Sequence, residues 1–301
     1  MNMTSEAAAY FEQVAHQWDA VRAGYFTEAL RDAALARVAL TPQTVVADVG
    51  AGTGFMSAGL APRVGQVHAI DGSEAMLAVA RENLSAFQNV VYHQADGGSL
   101  PLPDQSVDAV FANMYLHHCT DPLSALREMV RILRPGGRLV ITDMDAHPYT
   151  WFREEMTDVW LGFARDQVRS WLREAGLVNA LVTCSGNSCC ATSEAACTPE
   201  EQQTAKVSVF LAAGSRRVEG AQQAVQAQYG ARAQSGSCGC TPAPAASTSC
   251  CTPASASSSC CGAPEDKGTP VSYDTGYDPD VLATLPPEAA ELSLGCGNPV
   301  A

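Results

Sequence analysis

Short apolar runs closed by glycines and acids alternate along this chain with stretches of helical periodicity. The run Val45-Val46-Ala47-Asp48-Val49 ends in the turn Gly50-Ala51-Gly52-Thr53-Gly54, and Phe55 to Leu60 reads as the start of a helix. The same reading predicts strands at Gln66 to Ile70 (ending at Asp71), Val90 to Gln94 and Val107 to Asn113. Asp121-Pro122 opens a helix through Leu133, with proline at its first position. Arg134 to Gly137 predicts a tight turn into a fifth strand, Arg138 to Asp143. Trp151 to Trp160 and Arg165 to Gly176 then read as two helices, Leu177 to Cys184 as a sixth strand and Lys206 to Ala213 as a seventh. Ahead of the first strand, residues 5 to about 39 predict two helices. Ser5 is a plausible N-cap, Ala9, Phe11, Val14, Ala15 and Trp18 form an apolar stripe, and Gly24 breaks the pattern before Phe26 to Val38. Strands alternating with helices predict an α/β doubly wound sheet with helices on both faces.

Composition divides the rest. Residues 1–39 read as a helical lid, 40–215 as the α/β domain and 216–233 as a further helix. Residues 234–270 are rich in Ser, Ala, Pro and Thr and punctuated by cysteines, with too little apolar surface to fold alone. Residues 271–301 form a tail with a short helix near Pro279 to Leu285. The formal charge of −14 argues against a nucleic-acid partner, which calls for basic surface. No basic region followed by an apolar run opens the chain, and no apolar stretch approaches the roughly 20 residues that span a bilayer. A cytoplasmic protein with no membrane partner is the expectation. In that compartment 12 cysteines suggest metal, metalloid or redox chemistry more than a disulfide framework.

The glycine turn carries the first chemistry. A dinucleotide fingerprint needs its third glycine five positions after its first, and here Phe55 stands at that place. Asp48, just ahead of the glycines, would oppose a pyrophosphate but suits a cationic ligand. Asp71, about 20 residues past the turn at the end of the second strand, is placed to accept ribose hydroxyls. The pattern D-x-G-x-G-x-G over Asp48 to Gly54 resembles motif I of the class I methyltransferases that use S-adenosylmethionine (SAM). The blocks L-P-L-P-D-x-S-V-D-A-V-F and R-I-L-R-P-G-G-R-L-V-I-T-D resemble those of the ubiquinone-biosynthesis type in particular.

That resemblance implies a Rossmann-like seven-stranded sheet, its last strand antiparallel, and SAM as cofactor. Asp48, Gly50, Gly52 and Gly54 would hold the methionine and ribose side, Asp71 with Gly72 the ribose, Met76 the adenine face, Asp96 with Gly97 the adenine amino group, and Asn113 the rim beneath the sulfonium. An aromatic of the lid, Tyr25 or else Trp18 or Phe26, would touch the methionine end, unless these are ordinary core aromatics. No catalytic triad is evident, consistent with an activated donor whose transfer rests on proximity and orientation. His117-His118-Cys119 could be a metal cluster or a substrate-facing edge, and a histidine pair here is common in the family.

The cysteines suggest an acceptor. Cys184, Cys189, Cys190 and Cys197 fall in what reads as a long connector between the last two strands. Their spacing is looser than a zinc pair and suits thiophilic As(III) or Cu(I). The C-terminal stretch, through Y-D-P-D-V-L-A-T-L-P to S-L-G-C-G-N-P-V, resembles the N-terminal part of arsenite methyltransferases, as a head truncated before its catalytic domain. The preferred expectation is methyl transfer to As(III) held by Cys184, Cys189 and Cys190, with a thiol reductant as a further partner. A small-molecule C- or O-methyltransferase of the quinone-biosynthesis type is the alternative, and a metalloid-binding regulator a third.

Overall fold

The computed structural model describes residues 5–192 and 204–218. The chain divides into two units, Met1–Val218 and Glu219–Ala301. The predicted helix beyond Val218, the cysteine-rich linker, the tail and Cys197 lie outside the described residues.

Seven strands form one sheet: β1 (Val45–Val49), β2 (Gln66–Asp71), β3 (Val90–Gln94), β4 (Val107–Asn113), β5 (Leu133–Met144), β6 (Leu177–Thr192) and β7 (Thr204–Arg216). Their order is β3-β2-β1-β4-β5-β7-β6, parallel except that β7 runs antiparallel to both β5 and β6. This is the expected seven-stranded Rossmann-like architecture. The inner strands are largely apolar because both faces are covered. In β4, Val110 packs into a core with Leu126, Met129 and Leu172, while Ala109 and Phe111 pack into a core with Leu35, Met56 and Leu60. Successive residues face opposite layers, as the pleat requires.

The helices are α1 (Ser5–Val14), α2 (Trp18–Arg22), α3 (Glu28–Leu35), α4 (Phe55–Leu60), α5 (Glu74–Asn83), α6 (Pro122–Ile132), α7 (Phe152–Glu155) and α8 (Arg165–Glu174). Ser73 caps α5 by accepting from the Met76 amide, and Asp121 caps α6 by accepting from that of Ser124.

Three expectations are corrected. The first predicted helix is interrupted by a 3-10 turn at Ala15–Gln17. The stretch Trp151 to Trp160 is helical only over Phe152–Glu155, because Thr157 takes φ 58° and the chain leaves the helical path there. The sixth strand does not stop at Cys184. It bulges between Cys184 and Ser188, with Gly186 at φ 78°, and goes on pairing with β7 to Thr192. Cys189 and Cys190 are therefore neighbours on a strand rather than parts of a flexible connector.

Candidate functional site

Strand order reverses about β1, whose neighbours β2 and β4 leave in opposite directions, and open α/β sheets bind ligands at such a point. A cleft of about 930 Å³ opens there. Its floor is the glycine turn. The Gly50 and Ala51 amides both donate to the Ile70 carbonyl, at 2.9 and 3.0 Å, which ties the turn to β2. Asp71 fastens it further, its Oδ2 accepting from the Gly52 amide at 2.7 Å and its Oδ1 from the Ser73 amide at 2.9 Å. Burial raises the Asp71 carboxyl above its ordinary range, and these amides counter it.

The N-terminal helices roof the turn. Asp19 of α2 accepts from the Thr53 hydroxyl at 2.7 Å and from the Asn83 amide at 2.9 Å. Trp18 lays its indole over Gly52, and Tyr25 enters the cleft wall with its hydroxyl 3.6 Å from the Met156 sulfur.

The expected cofactor residues divide in two. Gly50, Gly52, Asp71, Met76, Asn113 and Tyr25 all line the cleft. Asn113 is fixed there by the Thr142 hydroxyl, which donates to its Oδ1 at 2.7 Å. Asp48 instead lies fully buried beneath the turn, its Oδ2 accepting from the Ser57 hydroxyl at 2.6 Å and its Oδ1 unpartnered; burial pushes it up to about 7. Gly54, at φ 91°, precedes α4 off the cleft wall, and a Cβ there would lie 2.8 Å from Leu84. Gly72 is open and off the cleft wall, its carbonyl accepting from Gln94. Asp96 shapes its own loop by accepting from the Gly98 amide at 2.9 Å. Tyr115 stands between Asp96–Gly97 and the cleft: its ring packs on Gly50 and its hydroxyl on Gly97, where a Cβ would lie 2.0 Å from Oη.

The three thiols expected to hold arsenic are not brought together. Alternation along β6 turns Cys189 into the cleft, buried, while Cys190 faces solvent and Cys184 is exposed beyond the bulge. Burial, with Cys190, Asp158 and Asp143 beside it, pushes the Cys189 thiol up to about 12, which disfavours the thiolate that a soft ion needs.

The far wall holds groups that the sequence did not join. His117 and His118 sit on a short 3-10 helix (Leu116–His118) after β4, and both are buried. Asp143, at the end of β5, accepts from His117 Nδ1 at 2.7 Å and from the Leu116 amide at 2.9 Å. Asp158, placed by the departure at Thr157, lies 3.8 Å from both His117 Nε2 and His118 Nδ1. Burial pulls His117 down, but Asp143 and Asp158 overcome it and carry the imidazole up to about 9. Burial, then His117, drives His118 well down. Asp158 is pushed up to about 7 by burial. Only the histidine pair was visible beforehand. Phe11, Phe26, Phe152, Met114, Met144 and Met156 make this end largely apolar, with the Arg22 guanidinium over the Phe26 ring and the Tyr10 and Tyr25 hydroxyls at Met156.

Comparison with known proteins adds to this geometry. Residues 47–141 match the family model of a methyltransferase domain. A malonyl-[acyl-carrier protein] O-methyltransferase of Marinomonas sp. is 30% identical over 185 residues, 58% of this chain and 66% of that protein. A demethylmenaquinone methyltransferase of Clavibacter sepedonicus is 41% identical over 103 residues, 34% of this chain and 42% of that protein. The match thus spans less than two thirds of either relative. The solved [4+2]-cyclase SpnF shares the fold, with a TM-score of 0.56 and 18% identity over 72% of this chain and 97% of that one.

Proposed function

We propose that this chain, which matches the family model of a methyltransferase domain over residues 47–141, is a class I SAM-dependent enzyme that moves the methyl group of SAM to an oxygen or carbon of an apolar, hydroxyl-bearing ring of the hydroquinone type. The observation that carries the reading is the acceptor end of the cleft, where aromatic and methionine side chains stand around a buried polar patch at His117, His118 and Asp158. Flat aromatic walls bury a ring, and pliable thioethers close the gaps around it. The polar patch gives the ring's hydroxyl a place to bond, which orients the ring toward the donor. The glycine turn and Asp71 would hold SAM across the strand ends with its sulfonium toward that ring. SAM leaves as S-adenosylhomocysteine (SAH) and the acceptor's hydroxyl or ring proton passes to the polar patch or to water; since SAM is already activated, alignment supplies most of the rate. The Clavibacter relative, named for a quinone substrate, supports the same class. The arsenite reading is less well supported, because it needs three converging thiolates and the described thiols diverge.

Calorimetric titration of the protein, saturated with SAH, with a 1,4-hydroquinone bearing an unsubstituted ring carbon tests this acceptor class. Binding that Phe152→Asp abolishes, with SAH affinity retained, is expected. Absence of binding to the wild type would overturn it.

A further inference from the structure

The patch on the acceptor wall has the composition of a metal site. We propose that His117 Nε2, His118 Nδ1 and an Asp158 carboxylate oxygen bind one divalent transition-metal ion such as Zn²⁺, with its open coordination position facing the cleft. Among the described residues, these are the only three metal-ligating side chains whose donor atoms all lie within 4.8 Å of one another. Zinc bonds of about 2.1 Å place adjacent tetrahedral ligands roughly 3.4 Å apart. The two 3.8 Å separations to Asp158 therefore need to close by only a few tenths of an ångström.

Two independent features point to a ligand. First, His118 Nδ1 and Asp158 Oδ2 are buried without hydrogen-bond partners, on side chains 8% and 2% exposed. Unpaired buried polar atoms are costly unless something occupies the space between them. Second, the supporting shell is already built. His117 gives Nδ1 to Asp143, which leaves Nε2 for a ligand and repeats the carboxylate–histidine–metal arrangement.

Two imidazoles and one carboxylate suit zinc and its transition-metal neighbours rather than Ca²⁺ or Mg²⁺, which prefer all-oxygen sets. Three protein ligands with one position free is the arrangement of a catalytic metal rather than a structural one. Since all three residues line the cleft, the free position faces where an acceptor's oxygen would lie. The site does not depend on the acceptor class proposed above, because it is read by metal uptake alone.

The test is Co²⁺ uptake by the reduced full-length chain, followed by visible absorption and by metal content after gel filtration. Thiols elsewhere in the chain contribute equally to wild type and variants, so the difference isolates the site. The wild type should retain one equivalent more than His118→Phe and than Asp158→Asn, with a ligand-field spectrum in the difference that lacks a thiolate charge-transfer band. Asp143→Asn should weaken that equivalent about 10- to 100-fold, the usual cost of losing such a supporting carboxylate. Circular dichroism confirms that each compared variant is folded. Equal uptake by the wild type and either folded variant would overturn the proposal, as would a thiolate band in the difference spectrum.

Discussion

Asp71→Asn tests the cofactor end of the cleft most sharply, because both carboxylate oxygens already hold backbone amides, of Gly52 and of Ser73. An asparagine supplies one acceptor oxygen, so one of these amides must face an NH₂ group instead. Losing a hydrogen bond to a charged group costs about 1.5–3 kcal/mol, less what the neutral side chain regains on burial. The fold should survive, with a net loss of about 1–2 kcal/mol on the same scale. Binding should suffer separately. If the ribose hydroxyls bond the remaining lone pairs of Asp71, losing one anionic acceptor again costs about 1.5–3 kcal/mol, or roughly 10- to 150-fold in SAH affinity. Titration calorimetry with SAH measures the second effect and urea unfolding the first. An analogue lacking both ribose hydroxyls completes a double-mutant cycle and should bind wild type and variant alike. SAH affinities within threefold of each other, in a folded Asp71→Asn protein, would refute the placement of the ribose.

Further outcomes follow from other positions. Gly97→Ala puts a Cβ 2.0 Å from the Tyr115 hydroxyl, so urea unfolding should show a loss of about 1–3 kcal/mol from overpacking; the cost should vanish in a Tyr115→Ala background. Asp48 is pushed up to about 7 by burial, against the Ser57 hydroxyl and amide and with Asp71 adding to the rise. The folded protein thus keeps a proton that the unfolded chain releases near pH 4, and stability falls as pH rises from about 4 to 7. Asp48→Asn should lessen that slope, leaving the part that Asp158 and Asp71 contribute in the same direction, and identical slopes for variant and wild type would contradict the assignment. Burial pushes the Cys189 thiol up to about 12 while Cys184 and Cys190 are exposed. Peptide mapping after iodoacetamide treatment at pH 8 should find the latter two alkylated and Cys189 protected until unfolding, and equal rates would count against its burial.

The sheet was legible because its strands are short apolar runs cut by glycines and acids, and the glycine turn is a local pattern. Asp71 could be found for the same reason, since its distance from the turn is fixed by one strand–helix–strand unit. What escaped depends on register or on single dihedral angles. Asp143 meets His117 only because β4 and β5 pair with Asn113 opposite Thr142, so their ends coincide. Asp158 sits in a stretch whose residues read as helix, and the positive φ of Thr157 turns it into the cleft. The cysteines misled for a related reason. Their spacing suggested convergence, but pairing with β7 carries them onto a strand, where alternation separates Cys189 from Cys190. Gly54 belongs to the motif by spacing, yet its missing Cβ makes room for Leu84.

Methyl transfer itself tests the central claim most directly. The reduced protein is incubated with methyl-labelled SAM and, in parallel arms, with a 1,4-hydroquinone bearing an unsubstituted ring carbon or with arsenite, and the products are identified by mass spectrometry. The proposed function predicts label in the hydroquinone product and none on arsenic. Label on arsenic alone, or SAM bound with no transfer to the hydroquinone, would contradict it.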